Sequence, residues 1–432
     1  MRPSIRIGLV ALVGGLVIGA FAKVEHARAG RATHEVARIT QKMKTVCVGR
    51  FTIDLPKGAQ VELTSARIGG FGISTFEESV DEFRGRLAQY EAEVGAKPDR
   101  HGGNHNLESV KEIRTASGLV GKIFVHSRTV TEGTAGNGIE NEHFRYEGVA
   151  VESLVHGNGV SVDLGSDYYP PDKIEKLNRL IGQLVPNRQS EALREAGFCL
   201  DRAYVREPLK TDQREQITMS ASLPSHPDIN LMLILVAGTK PDEDGLLKRG
   251  DAAEAELPLM DRFRISRLRA APRRIGGLSG EELVRRGIEA NGSQVYSFWW
   301  EVKGNQNDVL TPHLEFTMTT GKDINGPVPT SMSEEAALRL WDRISSSIRL
   351  HPMSERKRDA AAEPSRPKVG HALYRFHLPV EAIEHNDHRR SDDSSKFVGM
   401  LGGRFAKLPA LSQGRIDQLG YIPVFPTQGE LE

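Results

Sequence analysis

A chain of 432 residues with 38% hydrophobic side chains has the length for two or three cores and the apolar content to fill them. Lys+Arg and Asp+Glu both number 57, and a formal net charge of zero excludes a dedicated nucleic-acid binder, which needs a basic surface to displace counterions from phosphate.

The chain opens with an export signal. Arg2 and Arg6 give a positive start, 7–19 is apolar and uncharged, and Ala20-Phe21-Ala22 has the small-x-small pattern of a signal-peptidase site. Cleavage is expected after Ala22, making residues 1–22 the signal peptide. A second site, Ala27-Arg28-Ala29, puts Lys23, Glu25 and His26 between the apolar run and the cut. An uncleaved anchor is the alternative, with an apolar run shorter than the roughly 20 residues that cross a bilayer. Both readings export the bulk of the chain. Cleavage takes away two arginines and no acid, so the remaining net charge is −2. No later run approaches membrane-spanning length, and no integral membrane association is expected after cleavage.

Alternation and turn residues predict strands over 47–55 and 61–68 around Pro56-Lys57-Gly58. A helix is predicted over 77–94, with Val80, Phe83, Leu87, Tyr90 and Val94 in one stripe. After Gly102-Gly103 come strands over 119–129, 144–155 and 160–164, then a helix over 171–185 carrying Ile174, Leu177, Leu180, Ile181 and Leu184 on one face. Strands over 217–223 and 229–238 follow, then a helical region over 246–268 interrupted by Pro258. Strands over 281–286, 295–302 and 314–320 lead to a last helix over 333–348, with Ala337, Leu340, Trp341, Ile344 and Ile348 on one face.

Three landmarks recur in the same order. Cys47-Val48-Gly49-Arg50 returns as Cys199-Leu200-Asp201-Arg202, 152 residues on, and Gly118-Leu119-Val120-Gly121 returns as Gly277-Leu278-Ser279-Gly280, 159 residues on. The helices over 171–185 and 333–348 close the two units. Internal duplication follows: two tandem α+β domains, 45–190 and 197–352, joined by 187–196, each an antiparallel sheet packed with helices. The tail, 353–432, lacks a continuous apolar face and is expected to be mostly flexible.

No G-x-S-x-G elbow, H-E-x-x-H pair, P-loop or dinucleotide glycine fingerprint occurs. His101 and His105 flank two glycines, which suit a loop better than a helix aiming both rings at one metal. His371, His377, His385 and His388 lie in the tail without cysteines or patterned acids. The acidic pairs Glu77-Glu78, Glu281-Glu282 and Glu334-Glu335 fall at helix starts or in strand-like segments, where a structural role suffices. Cys47 and Cys199 lack the C-x-x-C partner of a redox centre, and two exported cysteines suffice for one disulfide; two buried thiols are the alternative. No catalytic residue, metal or cofactor is therefore expected. Partner-binding candidates are Trp299, which faces opposite to Phe298 and Trp300 on a strand, Asn325 and Pro327 in a loop over 322–332, and Asn137 in a glycine-rich loop over 131–138.

The opening C-x-x-R-F-x-I-x-x-P at 47–56, its partial echo at 199–208, the paired G-L-x-G segments and the export leader together resemble the immunity proteins that accompany lipase effectors of the bacterial type VI secretion system. The resemblance covers 45–352; the second copy departs from the first in having Ala203 where Phe51 stands. It implies a non-enzymatic periplasmic protein whose two domains form a claw on a phospholipase and hold its lid region in a closed, inactive state. The competing expectations are an exported small-ligand carrier or an enzyme with its site between the domains, and a structural envelope protein.

Overall fold

The computed structural model describes residues 29–99, 105–136, 141–188, 195–206, 213–306, 308–323 and 326–351. The signal segment 1–22, the tail 353–432, and Asn137, Asn325, His101 and the tail histidines lie outside the described residues.

Helix α1 (29–39) sinks Ala32 and Val36 into the core. The hairpin β1 (Met43–Val48) and β2 (Phe51–Pro56) follows. Gly49, at φ 55°, reverses the chain, so the predicted single strand over 47–55 is two strands: the apolar pattern runs on through a turn that only a left-handed backbone permits. Next come β3 (Gln60–Leu63), β4 (Ala66–Ile68) and β5 (Phe71–Glu77). Helix α2 (Val80–Ala96) starts after Ser79, which forms a capping box with Glu82, three residues later than the predicted start at 77. Four antiparallel strands, β6 (Leu107–Arg114), β7 (Val120–Gly136), β8 (Asn141–Gly157) and β9 (Val160–Tyr169), precede helix α3 (Glu175–Gln183) and β10 (Leu184–Pro186).

The second half repeats this order. It runs through the hairpin β11 (Gly197–Cys199) and β12 (Ala203–Arg206), then β13 (Glu215–Leu223) and β14 (His226–Ala237). Helices α4 (Leu246–Glu256) and α5 (Leu259–Arg262) stand where α2 stands in the first half. The predicted helical region over 246–268 is thus shorter: Pro258 stops α4, and Ile265 already belongs to β15 (Ile265–Ile275). Then come β16 (Leu278–Ile288), β17 (Gln294–Val302), β18 (His313–Thr320), the two-residue strands β19 (Lys322–Asp323) and β20 (Gly326–Pro327), α6 (Glu334–Ser345) and β21 (Arg349–Leu350). Both G-L-x-G segments turn the equivalent hairpins β6–β7 and β15–β16. Gly118 and Gly277 hold φ 86° and 87°, and a Cβ on Gly121 or Gly280 would run into a carbonyl oxygen of the neighbouring strand.

Among the described residues the two halves share one sheet of 13 strands, ordered β15-β16-β17-β18-β14-β13-β4-β5-β9-β8-β7-β6, with β3 also on β13. The expected pair of antiparallel sheets is therefore joined edge to edge at the seam β3/β4–β13. A second join is reciprocal. The closing strand of each half completes the hairpin of the other: β10 pairs with β12, and β21 pairs with β2. One face of the long sheet carries a continuous core under α1, α3 and α6. Trp341 of α6 sits there fully buried, stacked on Phe316 at 5.0 Å and beside Phe298 at 5.5 Å.

Candidate interaction surface

The opposite face is open at its centre. Period-two alternation sends Ile217, Met219 and Ala221 of β13 into the core and Gln216, Thr218, Ser220 and Ser222 outward. Register extends that outward row across the seam: Glu62, Ser220, Met232, Thr317 and Trp299 stand side by side, and beside them Gln60, Ser222, Asn230 and Thr319. All of these but Trp299 floor a depression of about 570 Å³.

On the same face, helices cover the outer strands of each half. In the first half, α2 lays Phe83 on Phe124 and Leu154, with Leu87 and Tyr90 alongside. Its Arg86 pairs with Glu78 at 3.0 Å and with Asp163 of β9 at 2.7 Å, while the guanidinium lies 4.9 Å from the Phe76 ring centre. In the second half, α4 sets Gly250 against Leu283 and ion-pairs Arg249 with the buried Glu301; Glu281 accepts the Leu247 amide at 2.9 Å. Phe124 and Leu283 follow the two G-L-x-G turns at the same distance, so α2 and α4 cover equivalent positions on the same face. The floor between them is a groove.

Carboxyls buried beneath these helices are perturbed. Burial pushes Glu152 up to about 7, helped by Asp167 and Asp163. Burial and the neighbouring Glu301 likewise push Glu315 up to about 7 against the pull of Arg249. Asp163 rises to about 6 because burial outweighs its contact with Arg86. Oε2 of both Glu152 and Glu315 lacks a hydrogen-bond partner. Such shifts accompany catalysis in many proteins, yet the groups here are closed off from the groove by packing. A serine–histidine contact exists as well, with His156 Nδ1 3.0 Å from Ser161 Oγ. That hydroxyl is fully buried and donates to Glu78, which leaves it no path to a substrate.

Of the sequence-derived candidates, Trp299 stands on the groove face beside Leu283 and Thr317, half-buried, while Phe298 and Trp300 are fully buried in the core. The indole N–H of Trp299 is buried without a hydrogen-bond partner. Pro327 is half-buried in β20, where its carbonyl accepts from Asn291 at 2.9 Å. Thr131 to Gly136 form the end of β7 and pair with β8, which replaces the loop expected over 131–138. Glycine suggests a loop there, but the Phe144 ring lies over Gly133 and fills the space a side chain would take. His105 is exposed.

Cys47 and Cys199 form a disulfide, with their Cα atoms 5.8 Å apart. Among the described residues, the one group of three close metal-ligating side chains is Cys47, Cys199 and His351, and both sulfurs are committed to each other. Beside the bridge the buried Arg50 clasps the buried Glu215 through two 2.7 Å hydrogen bonds, joining the first hairpin to the seam strand of the second half. Sequence reasoning missed the groove floor. Its signal, polar residues at alternate positions of β13 and β18, is also that of any solvated sheet face.

Residues 44–152 match the N-terminal domain of the family described as Tle cognate immunity protein 4, and residues 191–353 match its C-terminal domain. No curated protein matches. The chain resembles the apo immunity protein TplEi of the type VI secretion system of Pseudomonas aeruginosa (TM-score 0.58) and the same protein complexed with "L" peptide (0.56). It also resembles a chain in the crystal structure of the Tle4–Tli4 complex (0.58). Each is 23% identical and covers 72% of this chain and 98% of the other, a likeness of fold.

Proposed function

The chain belongs to the Tle cognate immunity protein 4 family, with both of its domains present, and from that premise we propose that it is a periplasmic immunity protein that neutralises a type VI secreted lipase. As a cognate immunity protein it is not an enzyme. The lipase is gripped in the groove between α2 and α4 and held in its closed, inactive conformation. The observation carrying this reading is the groove itself: a mostly polar floor shared by both halves, on a face whose outer strands are covered by equivalent helices, with the buried acids shut away from it. A solved Tle4–Tli4 complex gives the likeness a binding context.

Inhibition then works by conformer selection. An inhibitor that binds the closed lipase better than the open one shifts the population by its differential affinity, about 1.4 kcal/mol per tenfold. Export also agrees with the packing of α1. Cleavage after Ala22 removes none of the described residues, so Ala32 and Val36 stay packed in the core. No helix among the described residues is long and apolar enough to cross a membrane.

The test mixes purified protein with the lipase encoded beside its gene. A stoichiometric complex on gel filtration and loss of phospholipid hydrolysis are expected. Separate elution with undiminished hydrolysis contradicts the proposal.

A further inference from the structure

Cys47 and Cys199 occupy the same place in two equivalent hairpins. In β1–β2, Cys47 lies opposite Thr52 and the chain turns at Gly49-Arg50; in β11–β12, Cys199 lies opposite Tyr204 and the chain turns at Asp201-Arg202. A bond between equivalent residues of two copies joins them where they meet, as the antiparallel seam β3/β4–β13 does as well.

The bridge also sits directly behind the groove. Gly49 exchanges backbone hydrogen bonds with Cys199 at 3.1 and 2.8 Å, and its Cα side faces Ile217 and Phe198 so closely that an added Cβ would be 3.1 Å from each. Ile217 is on the core side of β13, the strand whose other side presents Ser220 and Ser222 to the groove. Gly49 and strand β13 thus separate the disulfide from the groove floor. Cys47, Cys199 and Tyr204 form their own buried cluster there.

We infer that the Cys47–Cys199 disulfide is a redox staple that fixes the opening of the groove, so that the oxidised protein is the form competent to grip its partner. This rests on the proposed function, which supplies the groove's ligand. Closing the staple takes a disulfide-bearing oxidant of the exported compartment. The Cys47 and Cys199 thiols lose two protons and two electrons and join through a mixed disulfide, and the oxidant leaves as two thiols. In the dithiol form the halves remain joined by the β2–β21 and β10–β12 pairings and by the seam, but the seam is free to flex about its axis, and the spacing of α2 and α4 flexes with it.

The full chain carrying Cys47→Ala and Cys199→Ala is compared with the oxidised protein in two assays: affinity for the lipase encoded beside the gene, and amide hydrogen exchange of β3 and β13 without any partner. Binding at least tenfold weaker and seam exchange at least tenfold faster, with unchanged far-ultraviolet circular dichroism, are expected. Unchanged affinity and exchange overturn the inference. Should the double variant not fold, the wild-type protein is reduced and its two sulfurs are rejoined through a one-carbon linker. The rejoined form regains affinity over the dithiol if the staple sets the groove, and equal binding by the two overturns it. If neither form binds the lipase, the functional proposal fails, and seam exchange alone decides the staple: faster exchange in the dithiol supports it, equal exchange refutes it.

Discussion

Replacing Arg50 by Met tests whether the two halves are held as one body. Arg50 and Glu215 keep only 6% and 4% of their side-chain surface, and the guanidinium meets the carboxylate through two 2.7 Å contacts. Gln213 donates to the same carboxylate at 2.7 Å, and the Arg50 carbonyl accepts from the His351 amide at 2.7 Å, so the clasp ties together the first hairpin, the seam strand and the end of the second half. Removing one partner strands the other charge away from water, a loss of about 3–5 kcal/mol. In a fold of this size that lowers Tm by roughly 5–8 °C. Replacing both by Met removes both desolvation penalties, and the double variant should recover most of the loss. Urea titration of wild type, both single variants and the double variant closes the cycle. Single losses under about 1 kcal/mol, or losses that simply add, refute the view that this buried pair couples the halves.

Two further outcomes follow from the same geometry. Glu152 and Glu315 rise from 4.5 to about 7 because burial favours the neutral acid, so the folded protein holds protons that the unfolded chain releases. Their contribution to stability is fully present below about pH 4.5 and is lost as pH rises through about 7, on the order of 3 kcal/mol each. Gln at both positions should flatten the fall in Tm between pH 5 and 8 and raise Tm at pH 8; a Tm profile parallel to that of the wild type contradicts this. Gly121→Ala and Gly280→Ala should each destabilise by about 1–3 kcal/mol in urea titrations, because the new Cβ runs into the Leu154 or Glu301 carbonyl oxygen, whereas Gly182→Ala, with nothing near its Cβ, should not. Equal behaviour of the three substitutions refutes the close approach.

What the sequence disclosed depended on burial. Strands and helices that put one face in the core, such as β14, β17, β18, α3 and α6, carry their period openly. Edge strands do not. β6 and β15 are charged and largely exposed, as unpaired edges must be to discourage association, and neither patterned as a strand. β5 was masked by glycines at its start, and the turn at Gly49 by the apolar residues around it. The duplication was legible because the G-L-x-G segments need glycine for backbone reasons in both copies. The joining of the two sheets and the exchange of β10 and β21 were not, because strands of two or three residues leave no periodic trace and a strand's pattern does not name its partner. The groove floor had a pattern but no distinguishing one: Ser220, Ser222, Thr317 and Thr319 read as ordinary outward positions until register lined them up between two helices.

The most direct test of the account is a hydrogen-exchange footprint of the protein in complex with the lipase encoded beside its gene. Protection concentrated in β13, β14 and β18 and along α2 and α4 is the predicted result. Protection confined to the α3 and α6 side, with the central strands exchanging as they do in the free protein, contradicts it.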